Sequence, residues 1–209
     1  IASPILLVMS LATLQMAYGY LIENRSRRKL TRLFGKYIPP ALLDEISLEL
    51  DVINLDGELR EMTVLFCDIR DFTKMSETMA PEEITRLINT ILTPVTNTIH
   101  RHHGTVDKYI GDAVMAFWGA PQRDPDHAQH AITTAMMIKQ RIKELNADFA
   151  QHQRLEIKVG IGINTGQMNV GNKGSEFRVD YTVLGDAVNL GARLEKLTKF
   201  YGVDIIVGE

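Results

Sequence analysis

The chain has 209 residues, of which 45% are hydrophobic and 23% are charged, and its formal net charge is −3. This balance is typical of a folded domain and excludes an intrinsically disordered chain, and the small negative charge gives no indication of nucleic-acid binding. A single cysteine, Cys67, excludes an internal disulfide framework. The charge is uneven: residues 1–36 contain six basic residues and one acidic residue, so the rest of the chain is strongly acidic.

The first 22 residues contain no charged residue, and roughly 20 apolar residues are enough for a helix to cross a bilayer. Tyr18 and Tyr20 lie near the end of this segment, where aromatic residues of membrane helices concentrate, and basic residues follow from Arg25 to Arg32. Basic residues flank the cytoplasmic end of membrane helices. We therefore predict a transmembrane helix at residues 1–22, in the inner (plasma) membrane. The alternatives are a buried soluble helix and a signal peptide.

Residues 23–56 read as a basic juxtamembrane connector with apolar residues at helical spacing and a break at Pro39-Pro40. From residue 57 onward, strands and helices alternate. We predict strands at 61–69, 105–110, 113–118, 155–164, 179–184 and 204–207, with a glycine-rich loop after residue 164. We predict helices at 81–103, after the cap Asp124, and from the cap Asp186 to about residue 201. The order βαββαβ is typical of a ferredoxin-like α+β domain, an α/β sandwich.

An acidic residue interrupts the apolar pattern of the first strand. Asp68 falls on the same face as the apolar residues of that strand, where a carboxylate needs a cation or backbone donors as partners. The next residues, IRDFT, form a strand-to-helix turn whose N–H groups can hold phosphate. We assign three residues of this turn to substrate binding, and the first of them also to the metal site: Ile69, Phe72 and Thr73.

The hairpin at 105–118 carries two further candidates. Period-2 alternation places Lys108 on one face with Val106 and Ile110, as a cation in an apolar row. The turn presents Gly111 and Asp112. Because the first strand and a hairpin lie side by side in this topology, we expect the carboxylates of the strand and of the turn to meet. Such a pair suits Mg²⁺ held together with substrate phosphates.

The last helix has two distinct faces. Its apolar stripe is expected to face the core and comprises Ala187, Leu190, Leu194, Leu197 and Tyr201. Asn189 and Arg193 are neighbours on a different flank of the helix, about 100° away. An amide and a guanidinium that point together suit an anionic oxygen.

The segments TVLFCDIRDFT, VDKYIGDAVMAFWGAP and DYTVLGDAVNLGARLE closely resemble, in order, the three signature segments of class III nucleotide cyclases. The resemblance covers residues 59–209. It implies that Asp68 and Asp112 bind two Mg²⁺ or Mn²⁺ ions per site, and that Asn189 and Arg193 form the transition-state pair. It implies adenylate cyclase activity, which converts ATP to 3′,5′-cyclic AMP and pyrophosphate in signal transduction.

The resemblance also implies a choice of nucleotide. A lysine four residues before the second aspartate selects adenine in the family, and Lys108 matches it. Its partner position is Thr182, where many members have Asp and an adenine-selective branch has Thr. Guanylyl cyclases typically carry Glu and Cys at these two places, so Lys108 and Thr182 disfavour guanine. A guanylate cyclase and a catalytically inactive nucleotide-binding regulatory domain are the alternatives. A diguanylate cyclase would show a GG[DE]EF-type turn in place of YIGDAV.

The segment FGKYIPPALL resembles the one that precedes the catalytic domain in membrane-bound bacterial members, some of which have a CHASE-type sensor. The family's domain ends in a further hairpin with a triphosphate-binding lysine, so we expect the catalytic domain, 57–209, to be incomplete. Lys108 and Asp112 belong to one hairpin yet serve opposite ends of ATP. We therefore expect a homodimer with shared sites. In each site Asp68 and Asp112 come from one chain, and Lys108, Thr182, Asn189 and Arg193 come from its partner.

Three weaker signals are set aside. The spacing of Gly160, Gly162 and Gly166 is one residue too long for a dinucleotide-binding fingerprint. The histidines near residues 100 and 130 lack the cysteines or carboxylates that would complete a metal site. Cys67 alternates away from Asp68, so we expect it to be a packing residue.

Overall fold

A computed structural model describes residues 57–151, 156–175 and 178–209. The predicted transmembrane helix at 1–22 and the predicted connector at 23–56 lie outside the described residues. Within the described ranges, none of the helices combines the length and the apolar character needed to cross a bilayer.

The elements follow one another in the predicted alternation. The strands are β1 (Glu58–Ile69), β2 (Thr105–Ile110), β3 (Ala113–Trp118), β4 (Val159–Ser175), β5 (Arg178–Leu184) and β6 (Ile205–Val207). The helices are α1 (Phe72–Ser76), α2 (Pro81–Arg101), α3 (His127–Gln151) and α4 (Asp186–Tyr201). Helix α3 starts two residues later than expected after Asp124-Pro125, because Pro125 and Asp126 form a turn in which Asp124 Oδ1 accepts a hydrogen bond from the Asp126 N–H at 3.0 Å.

The strands form one mixed sheet in the order β2-β3-β1-β4-β5. The first four strands pair antiparallel, which confirms the ferredoxin-like arrangement. Strand β6 pairs parallel with β4 through Ile161–Ile163, and β5 pairs antiparallel with the other half of β4. β1 lies in the middle because its side chains are apolar on both faces, and Met62, Val64 and Leu65 are fully buried.

The predicted glycine-rich loop after residue 164 is wrong, because β4 continues as a strand to Ser175. Thr165 to Val170 pairs with β1, and Asn169 to Ser175 pairs with β5. Glycine is depleted in strands, so its frequency here suggested a loop. In the structure it permits close contact: a Cβ on Gly171, whose φ is +153°, would lie 2.7 Å from Gly57 Cα.

The sheet curls so strongly that its two ends meet. β2 and β5 are the outermost strands in the hydrogen-bonding order, yet Thr182 Oγ1 on β5 donates a hydrogen bond to Asp107 Oδ2 on β2 at 2.5 Å. The rings of Phe117 and Tyr181 also approach to 6.2 Å between centroids. The hairpin of β4 and β5 therefore folds over the outer face of β2 and β3.

Helices α2 and α3 cover one face of the sheet. They bury Ile91, Ile99 and Ile138 against Trp118 and against Cys67, which is 4% exposed. This confirms Cys67 as a packing residue. α2 runs on through Pro94 to Arg101 and ends just before His102, whose carbonyl accepts a hydrogen bond from Trp118 Nε1 at 2.7 Å.

Helix α4 covers part of the opposite face, but only two residues of its predicted stripe, Ala187 and Leu194, are half-buried there. Its buried residues are Val188, Gly191 and Thr198, whereas the predicted core residues Leu190, Leu197 and Tyr201 are 39%, 40% and 64% exposed. The helix begins with Asp186 as its first residue, after the N-cap Gly185. The prediction failed for these three residues because α4 lies close to the sheet: smaller residues occupy its buried positions, and the large side chains of Leu190, Leu197 and Tyr201 face outward.

This close packing depends on glycines in β4. A Cβ on Gly162 would lie 2.2 Å from the backbone N of Glu195 and 2.5 Å from the carbonyl O of Gly191. A Cβ on Gly160 would lie 2.4 Å from Thr198 Oγ1. The glycines set aside as a nucleotide fingerprint therefore determine how closely the helix approaches the strand.

We expect Gly162→Ala to lower the free energy of unfolding by about 3 kcal/mol, because the added methyl group meets backbone atoms that cannot rotate away. Urea denaturation followed by circular dichroism measures the loss. Gly166→Ala on the same strand is the matched control, since its Cβ would meet only the Ala187 methyl group, at 3.0 Å. Equal losses in the two variants would contradict the packing argument.

Candidate active site

Two carboxyl groups meet where β1 ends, as the sequence predicts. The side chains of Asp68 and Asp112 lie within hydrogen-bonding reach of each other. Burial, together with the negative charge of Asp112, raises the pKa of Asp68 to about 6, although a hydrogen bond from the Ile69 N–H to Asp68 Oδ1 at 3.1 Å opposes the shift. Burial and the neighbouring carboxyl group therefore both oppose ionisation of Asp68.

The chemistry of this pair fits a divalent metal ion. Adjacent carboxylates that repel each other provide hard oxygen ligands, which Mg²⁺ prefers. In the described part of the chain no three His, Cys, Asp or Glu side chains gather around one point. An ion held by Asp68 and Asp112 would therefore take its other ligands from water, the backbone or substrate phosphates, as Mg²⁺ commonly does.

A third carboxyl group, Glu195 on α4, was missed by the sequence analysis. Burial, together with the negative charge of Asp68, raises the pKa of Glu195 to about 7, although Lys196 and Arg70 oppose the shift. The half-buried Glu195 lies on the inner face of α4, where its backbone N approaches Gly162. The sequence analysis missed Glu195 because it assigned a different set of residues, the apolar stripe, to the face of α4 that contacts the sheet.

The turn after β1 is attached to the far end of α4. Arg70 donates hydrogen bonds to the carbonyls of Val203 and Thr198, and Lys199 Nζ lies 2.8 Å from Asp71 Oδ1. Asp71 adopts a left-handed conformation, with φ of 56°, and α1 follows.

The three residues assigned to this turn have different environments. Ile69 is buried, and its N–H is already bound by Asp68. Phe72 packs against the core. As the first two residues of α1, Phe72 and Thr73 have N–H groups without an acceptor within the helix.

A second polar group forms where the ends of the sheet meet. Lys108 Nζ lies 3.4 Å from Thr182 Oγ1, which brings together the two residues assigned to nucleotide selection. Asp107, which the sequence analysis missed, bonds to Thr182, and its other oxygen lies 3.3 Å from Lys108 Nζ. Burial raises the pKa of Asp107, while Thr182 and Lys108 oppose the shift.

The predicted alternation of the hairpin is wrong at this point. A β-bulge lies between Val106, which pairs with Ala116, and Lys108, which pairs with Met115. Val106 therefore packs against the core under α2 and α3, and Lys108 lies on the opposite face of the sheet. The extra residue of the bulge is Asp107, and a bulge commonly redirects a side chain in this way.

Asn189 and Arg193 are exposed on α4, on a flank distinct from the buried face, as predicted. Within the described residues, no hydrogen bond or ion pair joins either side chain to the carboxylate pair or to Lys108. One chain thus assembles two groups, the carboxylate pair and the Lys108–Thr182–Asp107 group, and leaves the amide and the guanidinium facing solvent.

Comparison with known proteins agrees with these features. Residues 56–205 match the family model of the adenylate and guanylate cyclase catalytic domain. The adenylate cyclase of Anabaena cylindrica is 35% identical over 202 residues, which cover 93% of this chain and 39% of the relative. This chain therefore spans about two-fifths of the length of that relative.

Solved structures show the same likeness. The guanylyl cyclase Cya2 is 36% identical, with a TM-score of 0.65, over 68% of this chain and 72% of that one. The adenylyl cyclase CyaB from P. aeruginosa is 36% identical, with a TM-score of 0.64, over 68% of this chain and 74% of that one. The resemblance of the three segments is confirmed, and the chain belongs to the family of adenylate and guanylate cyclase catalytic domains, the class III nucleotide cyclases.

Proposed function

We propose that this protein is an adenylate cyclase, which converts ATP to 3′,5′-cyclic AMP and pyrophosphate. The similar proteins include both an adenylyl and a guanylyl cyclase at equal identity, so similarity alone does not choose the nucleotide. The contact between Lys108 and Thr182 carries the proposal. An ammonium donates to an unprotonated ring nitrogen of adenine, whereas the corresponding nitrogen of guanine bears a hydrogen and repels it.

The reaction is intramolecular: the ribose 3′-oxygen forms a bond to the α-phosphorus, and the bond to pyrophosphate breaks. Asp68 and Asp112 would hold Mg²⁺ or Mn²⁺, two per site, together with Ile69. When bound, these ions lower the pKa of the 3′-hydroxyl and neutralise the triphosphate. The N–H groups of Phe72 and Thr73 bind phosphate oxygens. Asn189 orients the ribose, and Arg193 stabilises the charge that grows on the α-phosphate.

The site is shared between two copies of the chain. Within the described residues, neither Asn189 nor Arg193 forms a hydrogen bond or ion pair with either polar group, and both are exposed, which supports a partner that brings them to the carboxylate pair. The flank that carries them adjoins the exposed apolar residues Leu190, Leu197 and Tyr201, and this apolar surface supports an interface at α4. A two-fold interface then gives two equivalent sites.

The proposal extends to the residues before the described part. Residues 1–22 span the inner (plasma) membrane, residues 23–56 connect the span to the catalytic domain at 57–209, and that domain is cytoplasmic. The uncharged segment and the basic residues after it support this arrangement. The connector would hold two chains in parallel, so that a signal can change their relative position.

The purified full-length protein should form cyclic AMP from ATP with Mg²⁺ or Mn²⁺ and much less cyclic GMP from GTP. Lys108→Glu should lower ATP turnover at least tenfold, because a carboxylate repels the ring nitrogen that the ammonium binds. Chromatography of the products measures both. Thermal unfolding of the variant at the wild-type temperature controls for folding. Unchanged ATP turnover would contradict the assignment of Lys108.

Shared sites predict complementation. Asp68→Ala alone and Arg193→Ala alone should each abolish activity, because either homodimer lacks an intact site. A mixture should recover about a quarter of wild-type activity, since half of the dimers are mixed and each has one intact site. Differently tagged chains, purified together, show that mixed dimers have formed. An inactive mixture that contains such dimers would contradict the model.

The carboxylate pair should destabilise the metal-free fold. Because the folded-state pKa of Asp68 is raised to about 6, ionisation of Asp68 costs stability; this cost is absent below about pH 4 and complete above about pH 6. Asp68→Asn should therefore raise the free energy of unfolding by about 1–2 kcal/mol at pH 8, allowing for solvent screening, and by little at pH 4.

Added Mg²⁺ should stabilise the wild type and not this variant, because only the wild type retains both carboxylates. Urea denaturation of the wild type and of Asp68→Asn, each with chelator and with Mg²⁺, gives the four free energies of unfolding to compare. Asp126→Asn, at an exposed position, is the matched control and should change none of them. A variant less stable than the wild type at pH 8 would contradict the repulsion.

A further inference from the structure

The hydroxyl group of Thr182 does not by itself distinguish the two purines. At position 6 adenine presents an amino group, which donates hydrogen bonds, and guanine presents a carbonyl oxygen, which accepts them. A threonine hydroxyl can either donate or accept. Selectivity therefore requires a neighbour that fixes the direction of the hydroxyl hydrogen.

Asp107 is in the position to do this. Its side chain is 1% exposed, its Oδ2 lies 2.5 Å from Thr182 Oγ1, and its Oδ1 lies 3.3 Å from Lys108 Nζ. A carboxylate has no hydrogen to donate, so Thr182 must be the donor in this bond. The hydroxyl hydrogen then points at Asp107, one lone pair of Oγ1 accepts a hydrogen bond from Lys108 Nζ at 3.4 Å, and the other lone pair is left for a ligand.

We propose that Asp107 is a positioning residue that selects adenine by making Thr182 an obligatory hydrogen-bond acceptor. The proposal rests on the nucleotide cyclase function proposed above and adds a residue to its base-recognition group. Thr182 then accepts a hydrogen bond from the amino group of adenine. The carbonyl oxygen of guanine would face a lone pair of Thr182 and gain no hydrogen bond.

The surroundings make the direction of this bond hard to reverse. Hydrogen bonds to a charged acceptor are roughly twice as strong as those between neutral groups. If Thr182 turned its hydrogen towards guanine, Asp107 Oδ2 would be left buried without its donor, which is costly. On its other side Asp107 Oδ1 accepts no hydrogen bond, but it lies 3.3 Å from Lys108 Nζ, and the attraction between the two charges keeps the ammonium beside Thr182.

The β-bulge in β2 allows two consecutive residues, Asp107 and Lys108, to approach Thr182 together. In a regular strand Asp107 and Lys108 would point to opposite faces of the sheet. The bulge between Val106 and Lys108 lets both side chains reach Thr182 from one strand. The curl of the sheet supplies Thr182 from β5 at the opposite end.

The decisive variant is Asp107→Asn in the full-length protein. The amide oxygen should take the place of Oδ1 beside Lys108, because the ammonium needs an acceptor. The amide nitrogen then faces Thr182 and donates to it, so the hydroxyl hydrogen becomes free to point at the ligand. We expect the ratio of kcat/KM for ATP to that for GTP to fall at least tenfold, about the effect of one misdirected hydrogen bond.

The change should lie in binding rather than in chemistry. The 3′-deoxy forms of ATP and GTP lack the attacking oxygen, so their inhibition constants report binding alone. Asp107→Asn should weaken 3′-deoxy-ATP and strengthen 3′-deoxy-GTP relative to the wild type. The same substitution at the exposed Asp126 is the matched control and should leave the ratio of the two constants unchanged.

A rescue separates positioning from packing. An aspartate at position 182 can only accept hydrogen bonds, whatever lies beside it. Adding Thr182→Asp to Asp107→Asn should therefore restore the preference for ATP. Thr182→Asp alone should reduce activity with both nucleotides, because it places two carboxylates in contact inside the protein.

The possible outcomes distinguish failure of the role assigned to Asp107 from failure of the proposed cyclase function. If Asp107→Asn lowers kcat equally for both nucleotides and leaves the selectivity ratio unchanged, Asp107 is only structural and the inference fails, while the cyclase function stands. If the double variant does not recover ATP preference, the inference also fails. If the wild type forms neither cyclic nucleotide, the proposed function itself fails. If the wild type prefers GTP, both the adenine assignment and this inference fail.

Discussion

The hydrogen bond between Thr182 and Asp107 joins the two outermost strands of the sheet, and the arrangement of the site follows from that closure. An open sheet of this order would hold β2 and β5 on opposite sides of three intervening strands. The curl brings them together on one face, so that Lys108 has both a hydroxyl and a carboxylate beside it. The same face carries α4, and the carboxylate pair lies at the end of the central strand.

This face has its own smaller apolar cluster around Met62, Phe117 and Met168, but the groups at its margin are poorly stabilised by their own chain. Burial and mutual repulsion raise the pKa values of Asp68 and Glu195, and the apolar stripe of α4 faces solvent. By contrast, the opposite face is a closed apolar layer under α2 and α3. Local rules of folding are commonly broken where a protein binds something. Repulsion among carboxylates and an uncovered apolar stripe are relieved by cations and by a second protein surface, respectively.

Sequence periodicity correctly predicted the elements that pack against their neighbours at ordinary distances. The hairpin of β2 and β3 has the predicted bounds, and α2 differs only at its last turn. The errors in β4 and α4 share one cause: both depend on contacts with distant parts of the chain, which the sequence of a single segment does not reveal. A loop was predicted in β4 because the strand is rich in glycines, which in the structure allow α4 and Gly57 to approach closely. The apolar stripe of α4 was predicted to face the core because it is the most hydrophobic side of the helix. Asp68 and Asp112 were placed correctly because topology alone brings them together. Asp107 was missed because a bulge changes alternation without any sequence signal.

The pairing of β1 with β4 also has a consequence for how quickly the chain can fold. The two strands pair along all twelve residues of β1, and each pair joins residues roughly a hundred positions apart. The entropy of closing so large a loop is lost before the first of these contacts forms, and proteins dominated by distant contacts fold slowly. A ribosome releases β1, the hairpin and both long helices before β4 exists. Until β4 emerges, one whole edge of the most apolar strand has no hydrogen-bonding partner, and this interval is when the nascent chain is most exposed to aggregation.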